Sequence, residues 1–253
     1  MIPRSILACC ALCCALPAAA LLTRADREDA EYLEIASRYG SSLALAAPAG
    51  EGVLIAPRWV LTAAHRARAL RSPQSRIRIG GRSHEVAAVL AHPDAQPGNA
   101  ADIALVLLRE AVDGVEPTPI YRGGEEKGKA IVVAGHGPTG RIGDASPRAD
   151  GRKRASVNTI DALSERAFEA RVKQGDEASD LQGALTPEET GAPAYVQFDD
   201  ALFVAGIAVA ADGARERYAR ISAFADWIDQ AMFRAAADEA AAATPAPRRP
   251  TRR

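Results

Sequence analysis

The chain has 253 residues, 48% apolar and 25% charged, with 31 Lys+Arg set against 32 Asp+Glu. That length carries ample apolar material for a large core. The near-neutral balance excludes a role dominated by polyanion binding, and a 5% aromatic share argues against a platform for stacking bases or sugars.

Residues 1–20 read as a secretory signal. Arg4 supplies the basic start, Ile6 to Leu16 the apolar run, and Ala18-Ala19-Ala20 the small-residue cleavage site. The run is too short for a permanent membrane span, so none is expected after signal removal. All four cysteines (Cys9, Cys10, Cys13, Cys14) fall inside this segment. Adjacent cysteines on an apolar helix are poorly placed to bridge or to present tetrahedral thiolates. Ala8-Cys9 meets only one of the conditions for lipidation. Cleavage after Ala20 therefore yields an exported protein, periplasmic or extracellular, with no cysteine.

Residues 21–37 are charged and read as a linker or short helix. From Ser41 the texture changes to short runs (SLALAA, GVLIA, WVLTAA, RIRIGG, HEVAAVLA, DIALVLL, KAIVVAGHG) divided by Gly, Pro and Asp. This is the pattern of an all-β barrel or sandwich. Residues 138–156 read as an exposed loop, with Arg152-Lys153-Arg154 solvated. Strand-like runs resume at AYVQF and ALFVAGIAVAA. Ile221, Phe224, Trp227, Ile228 and Met232 then stand at helical spacing and predict a closing amphipathic helix. Residues 235–253 read as a disordered Ala/Pro/Arg tail.

The four histidines (His65, His84, His92, His136) are too scattered for a metal site, and neither metal nor cofactor is expected. His65 ends an apolar run in WVLTAAHRA, and Asp102 heads another in AHPDAQPGNAADIALVLLRE. An aspartate there is ordinarily a turn residue or cap. Together, however, these segments resemble the trypsin-like serine peptidases. LTAAH is similar to the segment around that family's general-base histidine, and HPDAQPGNAADIALVLL to the stretch carrying its orienting aspartate. VAGHG, FVAGIAVAAD and YARISAFADWI follow in family order, over residues 38–234. The resemblance implies two six-stranded antiparallel β-barrels with a C-terminal helix, acting as a monomer on a polypeptide in the cleft between them.

The resemblance also implies a nucleophilic serine after His and Asp in chain order. The segment similar to the family's GDSGGP is TPEETGAPAYV, so Thr190 stands at the nucleophile position, Glu189 at the aspartate and Glu188 at an oxyanion-hole glycine. Gly191 and Pro193 are kept, and Ala192 replaces a glycine. Ser156, Ser164, Ser179 and Ser222 lack the flanking glycines. Threonine keeps the hydroxyl, but its methyl restricts χ1 and crowds the attack. In the family the acid at position 189 pairs with an amino terminus freed by cleavage; Arg38-Tyr39-Gly40 is a poor match to such a site. Ala184 is expected at the base of the substrate pocket, with Val209, Ala210 and Ala211 along its edge, so small side chains are expected there. Arg66 stands where disulfide-bonded relatives carry a cysteine. Two readings follow: a peptidase using His65, Asp102 and Thr190, with impaired activity, or an inactive pseudopeptidase that serves as a binding or scaffold module.

Overall fold

A computed structural model describes residues 21–45, 50–144 and 148–243. Residues 1–20, read above as a signal, with all four cysteines, and the last ten residues lie outside it. The chain begins with β1 (Leu22–Thr23) and α1 (Asp29–Ala36). The first barrel follows: β2 (Ser42–Leu45), β3 (Gly50–Ala56), β4 (Trp59–Ala63), the short helix α2 (Ala64–Ala67), β5 (Arg76–Ile79), β6 (Arg82–Ala91) and β7 (Ile103–Leu108). After β8 (Ala130–Gly135) come two short strands, β9 (Pro138–Arg141) and β10 (Arg148–Ala149). Then come β11 (Arg154–Leu163), β12 (Ala167–Arg171), β13 (Gly183–Ala184), β14 (Pro193–Phe198), β15 (Ala201–Ala211), β16 (Arg215–Arg220) and the closing α3 (Ala225–Ala243).

The first sheet has the order β2-β3-β4-β7-β6-β5 and is nearly closed. The second closes fully as β11-β12-β16-β15-β14-β8, and all its pairings are antiparallel. The expectation of two six-stranded antiparallel barrels and a terminal helix is met. Alternation explains the outer strands: in β5, Ile77 and Ile79 face in while Arg76 and Arg78 face out. Every residue of β7 is buried, because the strand lies between the first barrel's interior and the core shared with its neighbour. That shared core joins Val53, Leu61, Ile103 and Leu105 to Tyr195, Ile207, Val209 and Phe224. The two barrels thus bury each other's flanks.

Three segments differ from the sequence reading. Residues 21–37 are packed structure: Tyr32 of α1 is fully buried, and its hydroxyl donates to the Gln182 carbonyl at 2.9 Å. Residues 138–156 contain strand pairs, and two members of the basic triplet turn inward. Arg154 is 2% exposed and makes bidentate contacts with Asp29 and Asp150 at 2.6–2.9 Å. Lys153 donates to the Tyr39 carbonyl at 2.6 Å. Finally, α3 continues through residues assigned to the tail. Its alanines favour helix, and Glu239 is gripped by both Nη atoms of Arg58 at 2.7 and 2.9 Å.

Arg154 draws the Asp150 carboxyl down from 3.8 to about 2 and lowers Asp29, in each case chiefly through its hydrogen bonds. Groups depressed in this way stabilise the fold above their unfolded values, and that stabilisation is lost as pH falls through the folded ones. Arg154→Met should lower the urea-unfolding free energy by about 3 kcal/mol at pH 7, because two carboxylates lose their buried partner. The variant should also lose less stability than the parent between pH 4 and about 2.

Candidate active site

The site lies where β4 runs into α2. His65 is the second residue of that short helix, and Asp102 precedes β7, the neighbour of β4. Asp102 is 1% exposed and takes three donors: His65 N–H on Oδ1 at 3.0 Å, His65 Nδ1 on Oδ2 at 2.6 Å and Gly98 N–H on Oδ2 at 2.8 Å. A carboxylate only accepts, so the proton sits on Nδ1 and Nε2 is left as an acceptor. Nε2 lies 2.8 Å from Thr190 Oγ1. The three residues named from the sequence therefore form one continuous acid–imidazole–hydroxyl chain, the arrangement that lets a base take a nucleophile's proton.

Thr190 follows a three-residue 3₁₀ turn, Pro187–Glu189. Its carbonyl accepts the Glu51 N–H of β3 at 3.2 Å. Next to it, Gly191 has φ +98°, and a Cβ there would stand 2.0 Å from the Glu51 carbonyl oxygen. Only glycine brings the second barrel's loop this close to the first. The hydroxyl is thus set by the other barrel's backbone.

Glu188 and Glu189 do different work. The Thr190 N–H, needed outward to hold an oxyanion, is instead turned toward the Pro187 carbonyl at 3.5 Å. Glu188 is partly exposed and acts on the site only through its field at Arg66. Glu189 is 1% exposed, its Oε2 accepts the Thr186 N–H at 3.0 Å and the Leu21 backbone N–H also favours its charged form, while among the described residues no hydrogen bond of good geometry reaches the buried Oε1. Burial holds its pKa well above the ordinary carboxylate value, reinforced by Glu51 and Glu216.

Ala184 is fully buried and pairs with Leu22 of β1, and Val209 is buried in the core between the barrels. Ala210 and Ala211 are partly exposed on β15. The residue that shapes this region is one the sequence reading missed. Glu216 pairs across the ladder with Ala211, is fully buried, and accepts the Leu185 N–H at 2.8 Å, Asn158 Nδ2 at 2.8 Å and the Tyr218 hydroxyl at 2.6 Å. Burial raises its pKa. This carboxyl is tied down between Leu185, next to Ala184, and the strand that pairs with Ala211.

Glu51 was not singled out in the sequence, and Arg66 was noted only as standing in place of a cysteine. Glu51 stands beside Gly52 on β3, and its carboxylate holds His136 by the backbone N–H at 2.8 Å and by Nδ1 at 3.0 Å. Arg66 donates from Nε to Thr190 Oγ1 at 2.6 Å and from Nη2 to the Pro187 carbonyl at 2.5 Å. No local motif signals either role, because each depends on a partner from the other barrel. Among the described residues, no group of His, Cys, Asp or Glu is arranged to hold a metal ion.

The close approach of Gly191 yields a sharp test. Gly191→Ala combines a positive φ with a clash against backbone, and should destabilise the protein by about 2–4 kcal/mol. Gly143→Ala serves as the control, since its φ is also positive but nothing lies within 4 Å. It should cost about 1 kcal/mol, both values being read from chemical denaturation.

The comparison with known families agrees with the geometry. No individually curated protein matches the chain. The family model described as Trypsin matches residues 34–228, which spans both barrels and all three members of the hydrogen-bonded chain. The protein belongs to the trypsin family.

Proposed function

We propose that this is an exported trypsin-family peptidase homologue that hydrolyses polypeptides with Thr190 as nucleophile, His65 as base and Asp102 as the group orienting the imidazole. The observation that carries the reading is the unbroken chain from Asp102 through His65 to the Thr190 hydroxyl, with distances of 2.6 and 2.8 Å. The acyl-enzyme route follows: the hydroxyl attacks the peptide carbonyl as its proton passes to Nε2, which then protonates the leaving amine, and water completes hydrolysis. The inward Thr190 N–H and the threonine methyl both weigh on the rate; one lost oxyanion donor costs about 10²–10³-fold.

The other reading, a binding module without turnover, is favoured by Arg66, whose guanidinium sits on the nucleophile itself. Peptide-library turnover by the mature protein, Thr190→Ser and His65→Ala separates the two. Peptidase function predicts measurable cleavage, at least about 10-fold faster in Thr190→Ser and lost in His65→Ala. Absence of cleavage and of fluorophosphonate labelling even in Thr190→Ser means that the oxyanion hole or pocket is lost too, and rejects the peptidase.

Export also supports a maturation step. Cleavage after Ala20 would place a free amine on Leu21. Leu21 is fully buried, β1 next to it pairs with β13 and β9, and the Leu21 backbone N–H favours the charged form of Glu189. An ammonium at that point compensates the buried carboxylate. An α-amine with an unfolded pKa of about 8 that is raised by such a partner stabilises fully below pH ~8, and its contribution is lost as pH rises through the folded value. A protein beginning at Leu21 should therefore unfold at higher temperature than one retaining Ala18-Ala19-Ala20. The gap should shrink above pH ~9 and be absent in Glu189→Gln. Equal stability of the two forms at pH 6 would sink this maturation step.

A further inference from the structure

The Arg66 guanidinium is half-buried beside the nucleophile and has no counter-ion. Among the described residues no carboxylate lies within ion-pair distance of it; Glu188 and Asp102 act only through their fields, and burial works against its charge. Its bonds go to a hydroxyl and a carbonyl, both neutral, and among the described residues none bonds to Nη1. The placement is built rather than incidental. The aliphatic stem lies on Gly50, where any Cβ would stand 2.9 Å from Arg66 Cδ and 3.0 Å from Cγ. A glycine at position 50 is what lets an arginine occupy this place.

The contact has a chemical sign. A guanidinium on Oγ1 is most favourable when that oxygen is most electron-rich, which is the attacking hydroxyl before bond formation. As the ester bond forms, the oxygen gives up its charge, so the interaction favours the ground state over the transition state. The same side chain holds the Pro187 carbonyl, the acceptor toward which the Thr190 N–H is turned. One cation thus restrains both the nucleophile and the loop that should supply an oxyanion donor. Neutral acceptors hold a guanidinium less strongly than a carboxylate, which it can grip bidentately.

We infer that Arg66 is a carboxylate-operated latch: an anionic group on the bound polypeptide draws the guanidinium off Thr190 and Pro187, so the site selects peptides bearing a carboxylate close to the bond at the nucleophile. This rests on the reading of the site as one that engages polypeptides. The carboxylate is either an Asp/Glu side chain or a chain terminus, and the two are separable by experiment.

The test uses fluorescent peptides matched except for Glu or Gln, each as free acid and as C-terminal amide. Anisotropy at low salt reads binding to the mature protein, to Arg66→Met, which keeps the stem over Gly50, and to Arg66→Lys. A carboxylate-bearing peptide is expected to bind at least 10-fold more tightly than its neutral match. That preference should vanish in Arg66→Met and persist in part in Arg66→Lys, with unchanged thermal unfolding confirming the fold. A preference following Glu identifies a side-chain carboxylate, and one following the free acid a terminal one. Equal binding of all four peptides, or a preference retained in Arg66→Met, overturns the latch. Turnover is read separately: cleavage independent of peptide charge rejects the latch and keeps the peptidase, whereas charge-selective binding without cleavage, Thr190→Ser included, rejects the peptidase and keeps the latch.

Discussion

The carbonyl oxygen of Glu51 is the point on which the site depends. It accepts the Thr62 hydroxyl at 2.5 Å and meets the backbone of Gly191 so closely that a Cβ would overlap it. The amide of the same residue donates to the Thr190 carbonyl. One residue of the first barrel therefore fixes the height of the nucleophile loop of the second. His65 lies in α2, directly after β4, the ladder neighbour of β3, so base and hydroxyl are referred to the same backbone frame. Two rigid sheets placed in this way hold a hydrogen-bond chain within a few tenths of an ångström, which no loop could do alone.

Around that frame the site concentrates buried charge. Glu51, Glu189 and Glu216 are each at most 3% exposed, and each is handled differently. Glu51 is spent on His136, and Glu216 is satisfied by three donors. Among the described residues Glu189 keeps an oxygen without a well-formed hydrogen bond. Interiors rarely tolerate such a group unless something else needs it. Arg66, which bonds to Pro187 and Thr190 of the same turn, is a cation that pairs with no anion among the described residues. Both uncompensated groups bear on residues 187–190, the segment whose conformation decides whether Thr190 has an oxyanion donor beside it. Elsewhere buried charge is found in matched sets, such as Arg154 with Asp29 and Asp150, or Arg220 with Glu126.

Much of this was legible in the residues themselves. Period-two alternation, a short spacing of apolar runs and the turn residues between them dictate an all-β chain, and the motifs around His65, Asp102 and Gly191 mark the family and its catalytic order. Those signals are local, because each depends on neighbours along one strand or turn. The helix end after residue 234 and the packing of residues 21–37 were not legible. Charged, alanine-rich segments look alike in sequence whether they are solvated or docked; what docks these two is a partner more than a hundred residues away, Arg58 for α3 and Arg154 for α1.

Sequence alone marked the barrels, the acid–imidazole pair and the Thr190 hydroxyl, since backbone periodicity and motif order are written in consecutive residues. Only the tertiary structure decided that the Thr190 N–H turns inward, that Glu216 occupies the region of Ala184 and Ala211, and that Arg66 rests on the nucleophile. The last two are contacts between residues distant in sequence, and the first is a local turn whose Pro187 carbonyl is held by Arg66 from the other barrel. Arg66 could be read as an absent cysteine in the sequence; folded against Gly50, it is a cation aimed at the hydroxyl that would do the chemistry.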